Sequence, residues 1–197
     1  MTSFVPATEN FKRDLRFIVD DFAERSWVEL LALLEFVGCR KMIKSFDVFA
    51  MGLSELKHLS DEASHAYLLK KLIAEEWGEG APSTEFPFSR AGWNYFQGLD
   101  QRITAAVKDE ASAYAAVSFA IERRVLEIYP LYSSMTRRKR VRETLLAILK
   151  DERGHDLLVE KLLPSSILDL LLVEEGEQWE MFEAELAGEL RNISDQI

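Results

Sequence analysis

The 197 residues predict an all-α chain: an antiparallel four-helix bundle with one long crossover between helices two and three, plus a C-terminal fifth helix. Three observations point there. Nine Gly and five Pro are too few for a many-turned β chain, and the good helix formers Ala, Leu, Glu, Lys and Arg are abundant. Apolar residues recur at helical spacing over five stretches. The breaks after the first and third stretches are short, and the break after the second is long.

Helix one runs from about Thr8, a candidate N-cap, to Lys44. The stretch KSFDVF supplies a turn with Asp47 as the next cap. Helix two then reaches about Trp77, where GEGAPSTEFPF breaks it with glycines and prolines. Helix three spans about Asp100 to Tyr132, YPLYSSMT turns the chain, and helix four spans about Arg137 to Leu163. Pro164 stops it, and Ser166 caps a fifth helix that ends near Leu190. The short turns make antiparallel hairpins of helices one and two and of helices three and four. The crossover of about 22 residues, at about 3.3 Å each, can travel the ~45 Å length of a helix of about 30 residues.

The length suits a single domain over residues 1–197, with the core bundle at about 10–163 and the extra helix at about 166–190. With 34 acidic and 24 basic residues the formal charge is −10, which disfavours nucleic acid as a partner of the surface as a whole. No uninterrupted apolar run reaches the ~18 residues of a membrane span. The start MTSFVPATEN lacks a charged region followed by an apolar one, so a cytoplasmic location away from membranes is expected. The lone Cys39, in the apolar FVGCR, reads as a packing residue.

The chemistry lies in the histidines. There are three, and each follows a glutamate by three residues: Glu55 with His58, Glu62 with His65, Glu152 with His155. On a helix that spacing places carboxylate and imidazole on one face, where both can reach one metal ion or adjacent ions. Two of the pairs belong to a repeat offset by 90 residues: LSDEASHAYLLKKL from Leu59 matches LKDERGHDLLVEKL from Leu149. Counterparts of Glu55 and His58 would be Leu145 and Ile148, so that pair is read as a solvated or packed pair, or as lying beside a metal route.

A dimetal carboxylate site needs a further carboxylate from each remaining helix. Residues at one level of an antiparallel hairpin are symmetric about its turn. Glu29 and Glu62 centre at 45.5, within the Ser45–Asp47 turn, whereas Glu35 would centre at 48.5. Glu122 and Glu152 centre at 137, just after SSMT, whereas Glu127 would centre at 139.5. Glu29 and Glu122 are therefore preferred over Glu35 and Glu127. Both sit in apolar company, SWVELLALL and SFAIERRVL, where an unpaired carboxylate would be costly to bury.

The two D-E-x-x-H motifs on helices two and four, with a single Glu on helices one and three, resemble the ferritin-like diiron carboxylate superfamily over about residues 10–163. That superfamily includes rubrerythrins, bacterioferritins and diiron oxygenases. The resemblance implies that Glu62 and Glu152 bridge two metals, that Glu29 and Glu122 are terminal ligands, and that His65 and His155 give one imidazole to each. Asp61 and Asp151 would then accept the imidazole N–H groups. It implies two Fe ions, with Mn or a mixed Fe/Mn pair also suited to such hard donors. It further implies an oxidoreductase that uses O2 or peroxide and an external electron donor on a small organic substrate.

The departures narrow the likeness. One cysteine excludes the paired C-x-x-C motifs of a rubredoxin-like domain. Residues 63 and 153 are Ala and Arg, so the Met that binds haem in bacterioferritins is missing and no haem is expected. Tyr67, two residues past His65, does not match the radical tyrosine of ribonucleotide reductase small subunits.

Ser26, Ala32 and Ser118, one turn from the preferred ligands, leave space that Phe22, Phe36, Phe119 and Tyr129 line at related heights, a pocket for an organic substrate. A second reading makes Fe²⁺ itself the substrate of a ferroxidase for iron storage or detoxification. A third is a metal-free helical interaction module built on Arg137, Arg138, Lys139, Arg140 and Arg142, cations placed at a helix start where the dipole disfavours them. Glutamates of this chain, or a phosphate-bearing or redox partner, would compensate them. Helix five reads as a bundle cover or a homodimer surface with solvated acids and no chemistry of its own.

Overall fold

The computed structural model describes residues 4–20, 23–46, 49, 51–78, 86–159 and 163–195, the side chains of 153–159 and 194 excepted. Among these residues the chain is all-helical, with seven helices and no strand: α1 (Glu9–Asp20), α2 (Glu24–Ser45), α3 (Leu53–Trp77), α4 (Ser89–Ala106), α5 (Glu110–Met135), α6 (Lys139–Val159) and α7 (Ser165–Ser194). No helix among them is long and apolar enough to cross a membrane.

The expected helix one is two helices. Thr8 does cap α1, its hydroxyl accepting from the Phe11 N–H at 3.1 Å. α1 stops at Asp20, and α2 starts after Ala23 with no side-chain cap. Neither Gly nor Pro lies near this break. α1 packs on α2, α5 and α7 instead of extending α2, so tertiary packing sets the bend. Helix three likewise divides at Val107–Asp109, where the Asp109 carboxylate accepts from the Ser112 N–H at 2.7 Å and starts α5.

The second half of the stretch expected as crossover belongs to α4. Gly92 and Gly98 weaken its helical signal, yet both are needed inside the helix: Leu30 lies against Gly92 and Gln178 against Gly98, leaving no room for a Cβ. Pro130 sits within α5.

α2 packs on α3, α3 on α6, α6 on α5 and α5 on α2. Glu35 meets His65 while Gly38 meets Glu62, so α2 and α3 run antiparallel. Glu76 meets Arg138 and Arg140 while His65 meets Glu152, so α3 and α6 do as well. α4 and α7 pair with each other and lie over α2 and α5. The larger core cluster gathers Phe11, Trp27, Phe88, Trp179 and Phe182 at that second layer. A smaller one centres on Leu99, Val117, Phe119 and Leu171.

Two polar clamps lock the layers. Glu24, buried at the start of α2, accepts from Tyr132 and Thr136 of the α5 end and from Arg138 at 2.9 Å. The rest of the basic run is also matched within the chain. Arg137 pairs with Asp20, Arg140 with Glu76, Lys139 with Glu143, and Arg142 donates to the Ser133 and Thr136 carbonyls.

The second clamp is deeper. Arg124 of α5 binds both carboxylate oxygens of Glu175 on α7, donates to Glu127 at 2.7 Å, and stacks 4.2 Å from the centre of the Trp179 ring. Tyr95 of α4 donates to Glu175 at 2.9 Å. Glu175 is fully buried, so the acids of the last helix are not all solvated. Removing one partner leaves a buried charge unmatched, so Glu175→Ala should lose about 3 to 5 kcal/mol of stability in urea unfolding, and Glu175→Ala combined with Arg124→Met less than the single change.

Candidate metal centre

Two groups of metal-capable side chains meet in the interior: Glu35, His65 and Glu152, all buried, and His58, Glu62 and Glu122, with His58 half-buried. In each, the donor atoms lie within 4.8 Å of one another. From that spacing small rotamer adjustments bring carboxylate and imidazole donors to the ~2.0–2.2 Å of a shared ion.

His65 Nδ1 lies 3.0 Å from Glu152 and 3.6 Å from Glu35, and its Nε2 faces Asp151 at 3.6 Å. Among the described residues neither nitrogen makes an aligned hydrogen bond, although the ring is fully buried. One imidazole set between two buried carboxylates is a donor set that fits a cation, which would take the place of the proton they now hold on the ring. Tyr129 donates to Glu35 at 2.9 Å and fixes that carboxylate.

In the second group His58 Nε2 lies 3.6 Å from Glu62, 3.7 Å from Glu122 and 3.2 Å from the Ser118 hydroxyl, which itself donates to Glu122 at 3.1 Å. Glu62 feels both groups. Burial first, then Glu35, Glu152 and Glu122, push its carboxyl well above the usual 4.5. Burial alone would lower His65, but Glu152 and Glu35 outweigh it and raise it from 6.5 to about 10. Gly38 stands where a Cβ would come within 2.9 Å of a Glu62 oxygen.

The structure sorts the expected residues. Glu62, Glu122, His65 and Glu152 converge. His155 lies on α6 with its side chain outside the described residues. Asp151 does reach an imidazole, across to His65 of α3. Asp61, its counterpart in the repeat, pairs with Lys57.

Glu29 stays out of both groups and pairs with Arg25, while Glu35 takes the inward position. The physical reason is the position of the turn. α3 starts at Leu53 rather than at Asp47, which itself lies outside the described residues, so the connection 46–52 centres at 49, beside the 48.5 of Glu35 and Glu62. In the second hairpin the connection 136–138 centres at 137, the midpoint of Glu122 and Glu152.

One wrong register moved several neighbours with it. Ser26, Glu29 and Phe36 share a helical stripe, and with Glu35 inward that stripe turns away: Ser26 is half-buried and Phe36 is 59% exposed. Phe22 falls outside the described residues. Ala32 is buried in the larger core cluster, and Phe119 is buried against Phe4. Tyr129 and Ser118 do line a cavity at the carboxylates. Glu127 is held by Ala7 N–H and Arg124, and Glu55 lies in the first turn of α3 beside Gly52. His58 went unselected because the repeat gives it no counterpart, yet its position one turn before Glu62 on the same helix was the available signal.

The cavity, about 80 Å³, is walled by α2, α4, α5 and α7 and floored by Glu35, Glu62, Glu122 and Glu152. Comparison of the chain with family models, curated proteins and solved structures finds no match.

Two outcomes follow from the charge pattern. Glu62 and His65 both hold protons in the folded, metal-free protein that the unfolded chain releases, so their combined contribution to stability declines as pH rises above about 4.5 for Glu62, and from 6.5 toward about 10 for His65. Glu62→Gln should therefore melt higher than the unaltered protein in chelator, with a gap that grows as pH rises above about 4.5. A gap that narrows would overturn the sign. Gly38→Ala should gain about 0.5 to 1 kcal/mol from helix propensity while weakening metal binding, because the new methyl displaces the Glu62 carboxylate.

Proposed function

We propose that this chain is a ferritin-like dimetal carboxylate oxidoreductase, built on a four-helix bundle of α2, α3, α5 and α6 with two irons as the preferred metals, acting on a small organic substrate. One observation carries the reading: among the described residues two adjoining groups, each of two carboxylates and one imidazole, gather in the interior. Four carboxylates balance two divalent ions, and oxygen and imidazole donors suit iron or manganese.

Bound iron supplies the redox chemistry with which reduced centres of this superfamily use O2 or peroxide. The chain's own residues prepare the place. Asp151 opposite His65 Nε2 favours the proton on that nitrogen and leaves Nδ1 as the donor. Tyr129 and Ser118 orient Glu35 and Glu122. Glu62 of the second group lies close enough to Glu35 and Glu152 of the first to feel their charge, so it would be a ligand within reach of either metal. Leu, Ile and Val side chains on the cavity side hold water away from the four glutamates.

That apolar wall favours an organic substrate over Fe²⁺, which a ferroxidase would lead inward along polar groups. The interaction-module reading loses its motive, since the cations at 137–142 have partners within the chain.

Purification from iron-supplemented cells should give about two irons per chain, with an absorption change on exposure to oxygen. Glu62→Ala should abolish loading. His58→Ala should leave about one iron; if that variant keeps two and His155→Ala loses one, the second imidazole belongs to His155. An unaltered protein that takes up no Fe²⁺ anaerobically would sink the metal reading.

A further inference from the structure

Among the described residues ten large apolar side chains are exposed, and six of them lie on the α2–α3 hairpin: Phe36 and Ile43 on α2, Phe49 after it, and Leu53, Leu56 and Tyr67 on α3. The other four are scattered over α1, α6 and α7, as apolar residues are on most surfaces.

The hairpin residues share one face. α4 covers one side of α2, setting Gly92 against Leu30 and Asp100 against Lys41, and α6 covers one side of α3, setting Glu152 against His65. The outward stripes occupy the remaining side of each helix. On α2 the stripe is Glu29, Leu33, Phe36, Arg40 and Ile43, and on α3 it is Leu53, Leu56, Ser60, Ala63, Tyr67 and Lys70. Both alternate steps of three and four residues, the spacing of a helix seam that packs against another helix. A membrane surface calls for neither that period nor Arg40 and Ser60 in the middle of the face.

The face is complementary to itself. Glu35 meets His65 and Gly38 meets Glu62, which sets Leu33 level with Tyr67 and Arg40 level with Ser60, and brings Phe36, Ile43 and Glu29 within one residue of the levels of Ala63, Leu56 and Lys70. A two-fold axis parallel to the helices keeps every level and lays α2 of one copy on α3 of the other. Phe36 then covers the small Ala63 of the second copy, Ile43 its Leu56 and Leu33 its Tyr67, while Glu29 meets its exposed Lys70 and Arg40 faces its Ser60. The other face-to-face two-fold, perpendicular to the helices, would set Arg40 against its own copy wherever Phe36 reached Ile43.

The five apolar residues on the two helices, each at least 42% exposed, leave roughly 600 Å² open, and with the residues between them the face reaches the ~800 Å² per partner of a stable interface. We propose that this chain forms a two-fold homodimer through the outward face of α2 and α3, the four helices packing as an antiparallel bundle. The proposal stands whether or not the interior holds metal, since Phe36 and Tyr67 turn outward, away from the glutamates.

Sedimentation velocity at about 50 µM chain should give a single species of twice the 22.6 kDa of one chain. Phe36→Glu and Tyr67→Glu each place an unmatched charge inside the interface and should weaken the dimer roughly a hundredfold, with helical circular dichroism unchanged. Met181→Glu, at a comparably exposed apolar position on α7, should leave the dimer intact. Should one of the two hairpin variants fail to fold, the other carries the test. An unaltered chain that sediments as a monomer, a dimer untouched by the folded hairpin variants, or one dissociated by Met181→Glu alone would overturn the proposal. So would a monomer that cosediments with phosphatidylglycerol vesicles, a result that would give the face to an anionic membrane instead.

Discussion

Burying like charge is the constraint on which this structure turns. Glu35, Glu62, Glu122 and Glu152 occupy one region of the interior, each less than a tenth exposed, with His65 fully enclosed among them. Isolated carboxylates in such a medium are expensive, and several side by side more so. Without metal the region responds as physics requires, by retaining protons: Glu62 is held up by burial and by its neighbours, and His65 stays charged because Glu152 and Glu35 outweigh its burial. Such a set persists in a folded chain only if the surrounding helices contribute enough to offset it, or if a cation does.

The helices show how that surrounding stability is arranged. Where the chain buries a charge purely for structure, it provides a full complement of partners. Glu175 has Arg124 and Tyr95, and Glu24 has Tyr132, Thr136 and Arg138. These clamps tie α7 to α5 and α2 to the α5–α6 junction. Around the central glutamates the partners include Tyr129, Ser118 and imidazoles.

The legible part of this in the sequence was periodic or repeated. Helical content followed from apolar spacing, and the 90-residue repeat picked out Glu62, His65 and Glu152 because matching residues on paired helices share one surroundings. What escaped was local geometry without a sequence marker. The α1–α2 bend has no Gly or Pro, and α4 hid behind Gly92 and Gly98, which close packing against Leu30 and Gln178 demands. The late start of α3 moved the hairpin centre by about one helical turn. On a 3.6-residue period that shift exchanged Glu35 for Glu29 and turned Phe36 to solvent. His58 was set aside for lacking a repeat counterpart, although a site need not be symmetric in every residue.

The second layer is what turns a charged core into a candidate reaction site. α4 and α7 lie outside the repeat and take no part in the two clusters, yet Tyr95, Trp179 and Phe182 wall the cavity that the four glutamates also line. Had these helices packed as tightly on α2 and α5 as α3 packs on α2, the cavity would be filled by side chains and the carboxylates sealed from anything larger than water or oxygen. Instead Arg124 holds Trp179 flat through its guanidinium while Glu175 holds Arg124, so the wall is propped from behind by buried ion pairs rather than by filling the space in front. A fold that maximised packing would spend those side chains inward. Keeping a cavity open beside four acidic groups costs contact energy around its wall. On the proposed function, a small organic substrate lying in it restores those contacts, so its binding free energy is available to position it at the glutamates.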